Sequence, residues 1–327
     1  MTRVAAVDCG TNTIRLLVAD LTREETGRPR LEPLRRRNEI VRLGQGVDRT
    51  GLLDHAALER TLAVVEDYAA DCAELGVEPG RGARRFVATS ATRDARNRED
   101  FAAGVRSLLG VDPEVVSGQE EAHLSFAGSL LGARGTDDGG APRLVVDLGG
   151  GSTELVLGVD APAAAISLNT GSVRITERYL ADGVSPAAEA AARAEVRGLL
   201  DRAAQAVDLA ATGRLVGLAG TITTVTAHAL GLADFDAEAI DGAELAVGAA
   251  LASCDAIVHS TAAERESWAY LRPGRRDVIA AGALVWSEVI SRVVAETTAA
   301  GRPLATAVTS LHDILDGIAL SLAVPVP

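Results

Sequence analysis

The chain has 327 residues, 47% of them hydrophobic, and carries a formal charge of −13 at neutral pH; that length and apolar content call for two domains rather than one core. The acidic balance argues against nonspecific binding to nucleic acid or to an anionic membrane as the main task. All 32 basic residues are Arg, so the P-loop lysine, a Schiff base and the protein-kinase lysine are excluded, and phosphate recognition falls to guanidinium forks, backbone N–H groups and bound metal.

The first predicted strands, near 3–8 and 14–20, flank the turn Asp8-Cys9-Gly10-Thr11-Asn12-Thr13. A carboxylate at a strand end followed by Gly, Thr and Asn is suited to a phosphate and a hard cation: glycine admits close backbone approach, N–H groups and hydroxyls donate, and carboxylate oxygens hold the metal. No cationic apolar segment precedes Asp8, so no signal peptide is read. Cys9, Cys72 and Cys254 are odd in number and lack metal-ligand spacing. They are expected as reduced packing thiols in a cytoplasmic protein.

A third strand is predicted near 37–43. The apolar spacing of Ala56, Leu58, Leu62, Val65, Tyr68, Ala69 and Cys72 predicts a helix over 54–75, ended by Gly76 and Pro79. A strand at Arg85–Ala88, a helix near 98–109 and a strand at Glu114–Val116 follow, alternating as in an α/β domain. The clusters Arg35-Arg36-Arg37, Arg84-Arg85, Arg93-Arg96-Arg98 and Arg272-Arg275-Arg276 are candidates for a positive groove. Only Arg15 and Arg93 lie beside phosphate-type turns.

Ser117-Gly118-Gln119-Glu120-Glu121 precedes the apolar run Leu124, Phe126, Leu130 and Leu131. Ser-x-x-Glu at that place is a capping box, with Ser117 as cap and Glu120 reaching back to it. Glu121 is left for other work, and the helix dipole keeps a first-turn carboxylate ionised, as a general base must be.

Residues 134–143 read as an exposed loop. The opening device then recurs: Asp147-Leu148-Gly149-Gly150-Gly151-Ser152-Thr153 lies between apolar runs at 144–146 and 155–157. Strands are predicted near 144–148, 154–159 and 164–169, and then helices after Ser172 and over 186–211. A strand at Leu215–Leu218 and helices near 243–257 and 277–296 complete this half. The uncharged stretch Leu215–Ala233 has the length of a membrane span, but its glycines and four Thr predict a strand, a turn and a helix. The five His show no metal-ligand spacing and are given packing or surface roles.

Six ordered segments together resemble the exopolyphosphatase / guanosine pentaphosphate phosphatase family of the actin, heat-shock-70 and sugar-kinase superfamily. They are Ala6–Leu17, Ala88–Ala95, Val116–Ala122, Val146–Leu155, Gly217–Thr221 and Pro273–Ile279. The resemblance implies an α/β protein of two ribonuclease-H-like domains, residues 1–124 with about 308–327 and residues 125–307, with the active site in the cleft they form. Thr309–Leu322 would be a final helix returning to the first domain. By the same resemblance, Glu121 is the catalytic base. Gly10, Thr11, Asn12, Thr13, Arg15, Thr89, Ser90, Arg93, Gly149, Gly150, Gly151, Ser152, Thr153, Gly220 and Thr221 bind phosphate. Asp147, Glu154 and Asp8 hold Mg²⁺ or another divalent cation. His123 and Arg272 stand where many members carry Arg and His, and the chain resembles the short form, which favours shorter polyphosphates. A homodimer is implied, with neither nucleic acid nor membrane as partner. The alternatives are a guanosine pentaphosphate 5′-phosphohydrolase, a phosphotransferase using the Gly217–Thr224 turn for adenosine, and a polyphosphate-binding protein without catalysis.

Overall fold

The computed structural model describes residues 2–23, 29–132 and 140–323. The chain divides into two compact units, Met1–Gly128 with Ile314–Pro327, and Ser129–Asp313.

In the first unit β1 (Thr2–Cys9), β2 (Thr13–Arg23) and β3 (Pro29–Ile40) form an antiparallel meander. After α1 (Val47–Thr50) and α2 (His55–Glu74), β4 (Arg84–Ala88) returns parallel to β1. Next come α3 (Ser90–Asp94), α4 (Arg98–Leu109) and β5 (Glu114–Val115), giving the sheet order β3-β2-β1-β4-β5, and then α5 (Gly118–Gly132), whose last turn lies past Gly128 in the second unit. β1 and β2 are buried on both faces, which is why they read as continuous apolar runs. Asp54 starts α2 by accepting the N–H groups of Ala56 and Ala57, and the helix turns its stripe Leu58, Val65, Tyr68 and Cys72 into the core. There the Tyr68 hydroxyl donates to the Ile14 carbonyl at 3.0 Å, which fixes the helix against the sheet.

β3 begins at Pro29, well before the predicted start at 37. It pairs with β2 along its whole length, from Arg23 opposite Pro29 to Thr13 opposite Ile40, and four Arg on an edge strand hide its β pattern. Those Arg form no open positive groove. Arg35 pairs with Asp71 and Glu74, Arg36 with Asp316, and Arg37 with Asp71 and Glu39. Arg84 is buried and donates to the Leu109 and Val77 carbonyls, while Arg85 pairs with Glu114 and Glu120.

The second unit repeats the plan with β6 (Arg143–Leu148), β7 (Thr153–Gly158), β8 (Pro162–Leu168), α6 (Ser172–Ile175), α7 (Pro186–Ala206), β9 (Arg214–Leu218) and α8 (Ala219–Ala229). It continues through α9 (Ala237–Ile240), β10 (Glu244–Ala246), α10 (Val247–Val258), α11 (Ala262–Ser267), α12 (Ile279–Ala299) and β11 (Thr306–Thr309). The order β10-β11-β9-β6-β7-β8 is the first sheet's order read from the other side, with β10 added at the edge. Both are the ribonuclease-H-like arrangement: an antiparallel meander of three strands whose first strand takes parallel partners on its other side. α13 (Ile314–Ser321) then belongs to the first unit, where Ile314, Leu315, Ile318 and Ala319 cover Val4, Ala6, Leu17 and Ala19.

Several predicted boundaries shift. The helix expected over 186–211 stops at Ala206 because Val207 is extended, and the one expected from 243 opens as the short strand β10. Thr309 ends a strand rather than starting the last helix, because the three-residue pairing of β11 with β9 outweighs local helical signal. Of the loop predicted at 134–143, residues 134–139 lie outside the described residues and Arg143 opens β6. Among the described residues no helix is long and apolar enough to cross a membrane.

Candidate active site

In the first unit strand register gathers the predicted residues at the carboxyl edge of the parallel strands. Cys9 lies opposite Ala88 and Ala88 opposite Val115, so the turn after Asp8, the Thr89-Ser90 step and the segment leading to Glu121 emerge side by side. Asp8 faces Arg15 across β1 and β2, and Arg15 donates to Asp8 Oδ2 from both Nε, at 2.9 Å, and Nη2, at 2.7 Å. The turn is closed by the Gly10 N–H on the Thr13 carbonyl at 2.9 Å. The carbonyls of Thr11 and Asn12 are taken by the segment after β3: Thr11 O accepts from Gly44, and Asn12 O accepts from Val41 and Arg42, at 2.8–3.0 Å. The Thr11 and Asn12 N–H groups have no acceptor among the described residues.

Glu121 sits in the first turn of α5, 7% exposed, and its Oε2 receives Arg93 Nη1 at 3.1 Å. The same Arg93 nitrogen donates to the Val116 carbonyl at 2.9 Å, which anchors the guanidinium. Helix dipole and guanidinium both favour the carboxylate anion. The predicted capping box is half formed: Ser117 Oγ accepts the Glu120 N–H at 3.2 Å, but the Glu120 carboxylate pairs with Arg85 instead of returning to the cap. The adjacent glutamates therefore face different environments, Glu120 an exposed ion pair and Glu121 a buried edge.

In the second unit Asp147 lies opposite Glu154 on β7 and opposite Leu218 on the parallel β9. Cross-strand neighbours project to one face, so two buried carboxylates share it. Glu154 Oε1 also accepts the Ser167 hydroxyl at 2.7 Å. Register puts the turn 149–152 beside the start of α8, where Ala219 is held at φ 71°. Arg275 lies across Gly220 so closely that a Cβ there would fall 1.6 Å from its Nη1. The Thr221 hydroxyl has no partner among the described residues, whereas Thr153 spends its own on the Thr170 carbonyl at 2.8 Å, which removes it from the phosphate-contacting hydroxyls.

Among the described residues no group of three or more His, Cys, Asp and Glu side chains is gathered as metal ligands. Two carboxylates suffice for Mg²⁺, which keeps waters and takes substrate oxygens for the rest of its shell, so Asp147 and Glu154 fit the ion. Asp8 fits it less well: Arg15 occupies its Oδ2 and sets a positive charge beside it. Cys9 is fully buried and burial pushes its thiol well up, consistent with packing.

Gly44, Gly171 and Arg174 were not foreseen as site residues, and Arg275 was foreseen only as part of a candidate positive groove. A Cβ on Gly44 would lie 2.4 Å from Thr11 Cγ2, and one on Gly171 would lie 2.6 Å from the Gly150 backbone. Both glycines press against a phosphate-type turn from a distant stretch of sequence. The only local signal was glycine itself.

Residues 21–299 match the Ppx/GppA phosphatase family. The chain is 44% identical over 329 residues to Exopolyphosphatase 2 of Mycobacterium tuberculosis, covering 99% of each. It superposes on the crystal structure of an exopolyphosphatase-like protein with a TM-score of 0.90 at 42% identity, covering 98% of this chain and 97% of that one. An exopolyphosphatase from Cytophaga hutchinsonii, 22% identical, has the same fold with a TM-score of 0.84 over 98% of both chains.

Proposed function

Because the chain belongs to the Ppx/GppA phosphatase family, we propose that it is an exopolyphosphatase in which Glu121 activates the water that hydrolyses the terminal phosphoanhydride. The observation that carries this reading is the split between the adjacent glutamates. Arg85 gives Glu120 a structural partner, and Glu121 is buried and held by Arg93.

Water attacks the end phosphorus in line while Glu121 takes its proton; the anhydride P–O bond breaks and the shortened polyphosphate leaves as an oxyanion. Thr11, Asn12, Gly150, Gly151 and Ser152 offer backbone N–H groups to phosphoryl oxygens, and Arg93 adds a guanidinium. Asp147 and Glu154 would hold Mg²⁺, which when bound neutralises charge that develops on the transferred group. Gly220 and Thr221, beside Arg275, are assigned to phosphate as well. The reading includes a preference for shorter chains and a cytoplasmic homodimer, checked by substrate length series, fractionation and light scattering.

The test is phosphate release from polyphosphates of defined length and from guanosine pentaphosphate, with Mg²⁺ or EDTA, for the wild type and Glu121→Gln. Metal-dependent release from polyphosphate that falls about 10²- to 10⁴-fold in Glu121→Gln supports the reading. Near-normal turnover in that variant removes Glu121 as the base, and faster release from guanosine pentaphosphate makes that nucleotide the substrate.

A further inference from the structure

We propose that the segment 170–174 is a positioning device for the phosphate turn 149–152, and that Arg174 is its decisive positioning residue; the inference rests on the hydrolase reading above. Within a peptide plane the carbonyl of one residue and the N–H of the next point in opposite directions. Whatever fixes the carbonyls of a turn therefore aims its N–H groups.

All three glycine carbonyls of the turn are fixed from one side. Gly149 O accepts the Ser172 N–H at 3.0 Å, and Gly150 O accepts the N–H groups of Val173 at 2.9 Å and Arg174 at 3.1 Å. Gly151 O accepts Arg174 Nε at 2.9 Å. The N–H groups of Gly150, Gly151 and Ser152 are thereby turned to the opposite side, and they have no acceptor among the described residues. Three successive N–H groups aimed together form an anion nest, and a phosphoryl oxygen matches it.

The first two carbonyls are held by backbone donors, which almost any residue supplies. The Gly151 carbonyl is held by a side chain alone, so the direction of the Ser152 N–H depends on residue 174 being able to donate there. Arg174 is 8% exposed, which fixes the guanidinium under the turn and sets its positive charge near the nest. Gly171 completes the device: no other residue lets the segment lie this close to Gly150.

The proteins to compare are the wild type, Arg174→Ala and Arg174→Lys. Phosphate release from tripolyphosphate is measured with Mg²⁺, with and without low concentrations of guanidinium ion, together with circular dichroism melting and calorimetric affinity for tripolyphosphate. Arg174→Ala should lose about 10- to 100-fold in kcat/KM, as expected for a lost charged donor and a displaced cradle. Added guanidinium should restore part of that loss and leave the wild type unchanged, a rescue that a packing role does not give. Arg174→Lys should lie at an intermediate value, since an ammonium still donates to Gly151 O. A folded variant within twofold of the wild type, or a loss that guanidinium does not restore and that tracks the melting temperature, overturns the proposal. If Arg174→Ala does not fold, Arg174→Lys is judged by the twofold criterion. A wild type that binds tripolyphosphate and releases no phosphate sinks the hydrolase reading instead, and the positioning role is then decided by whether the variants lose affinity.

Discussion

The two phosphate-type turns share one backbone device and differ in the charges around it. At 10–13 the carbonyls of Thr11 and Asn12 are fixed entirely by backbone N–H groups from 41–44, and Asp8 is answered across the strands by Arg15. At 149–152 the last carbonyl is fixed by a guanidinium, and Asp147 is answered across the strands by a second carboxylate, Glu154. The same fold edge thus sets an arginine opposite the aspartate in one unit and a glutamate opposite it in the other.

The strongest way to break this comparison is to push each brace off its turn. Gly171→Ala drives a Cβ into the backbone of Gly150, which cannot rotate away, whereas Gly44→Ala meets the Thr11 and Ala91 methyl groups. Overpacking of this kind costs about 1–3 kcal/mol. Phosphate release should fall more in Gly171→Ala than in Gly44→Ala, by at least tenfold against wild type, as about 1 Å of misplacement does. Equal, near-normal rates in both would mean that neither turn needs its brace.

The charge difference is sharpened by a metal titration. Asp147→Asn should raise the Mg²⁺ concentration for half-maximal activity severalfold, because a ligand charge is lost, while Asp8→Asn should leave that midpoint unchanged. A shifted midpoint in Asp8→Asn would return Asp8 to the metal.

A smaller effect is expected at the start of α8. Ala219 adopts φ 71°, a conformation that glycine tolerates and L side chains resist. Ala219→Gly should raise stability by up to about 1 kcal/mol by denaturant melting, and a loss of stability would show that the Ala219 methyl packs usefully.

The smallest effects are on pH dependence, and they have opposite signs in the two units. The Arg3 fork holds the Asp20 carboxyl below its usual range, so its contribution is present above the ordinary Asp pKa and lost as pH falls through the lowered value. The Glu189 hydrogen bond raises His259, so that contribution is full below the ordinary His pKa and lost as pH rises through the raised value. Asp20→Asn should flatten the acid limb of stability and His259→Gln the limb just above the ordinary His pKa. Unchanged limbs would show that neither pair matters to folding.

The sequence by itself determined a good deal. Both strand–turn–strand devices, the amphipathic α2, the Ser117 cap of α5 and the α/β class were legible, because each depends on neighbours in the chain: apolar periodicity, turn chemistry or a cap within three residues. Tertiary structure decided what those elements meet. β3 was misplaced because its stability comes from β2 and from acids on α2 and α13, not from its own pattern. β10 and β11 were missed because strands of three and four residues exist only through their partners. Arg15 on Asp8, Arg174 on Gly151 and Gly171 against Gly150 are contacts made by register and close approach. Local sequence fixes which groups a turn carries, but the direction of its N–H groups and the residue that faces its carboxylate depend on the fold.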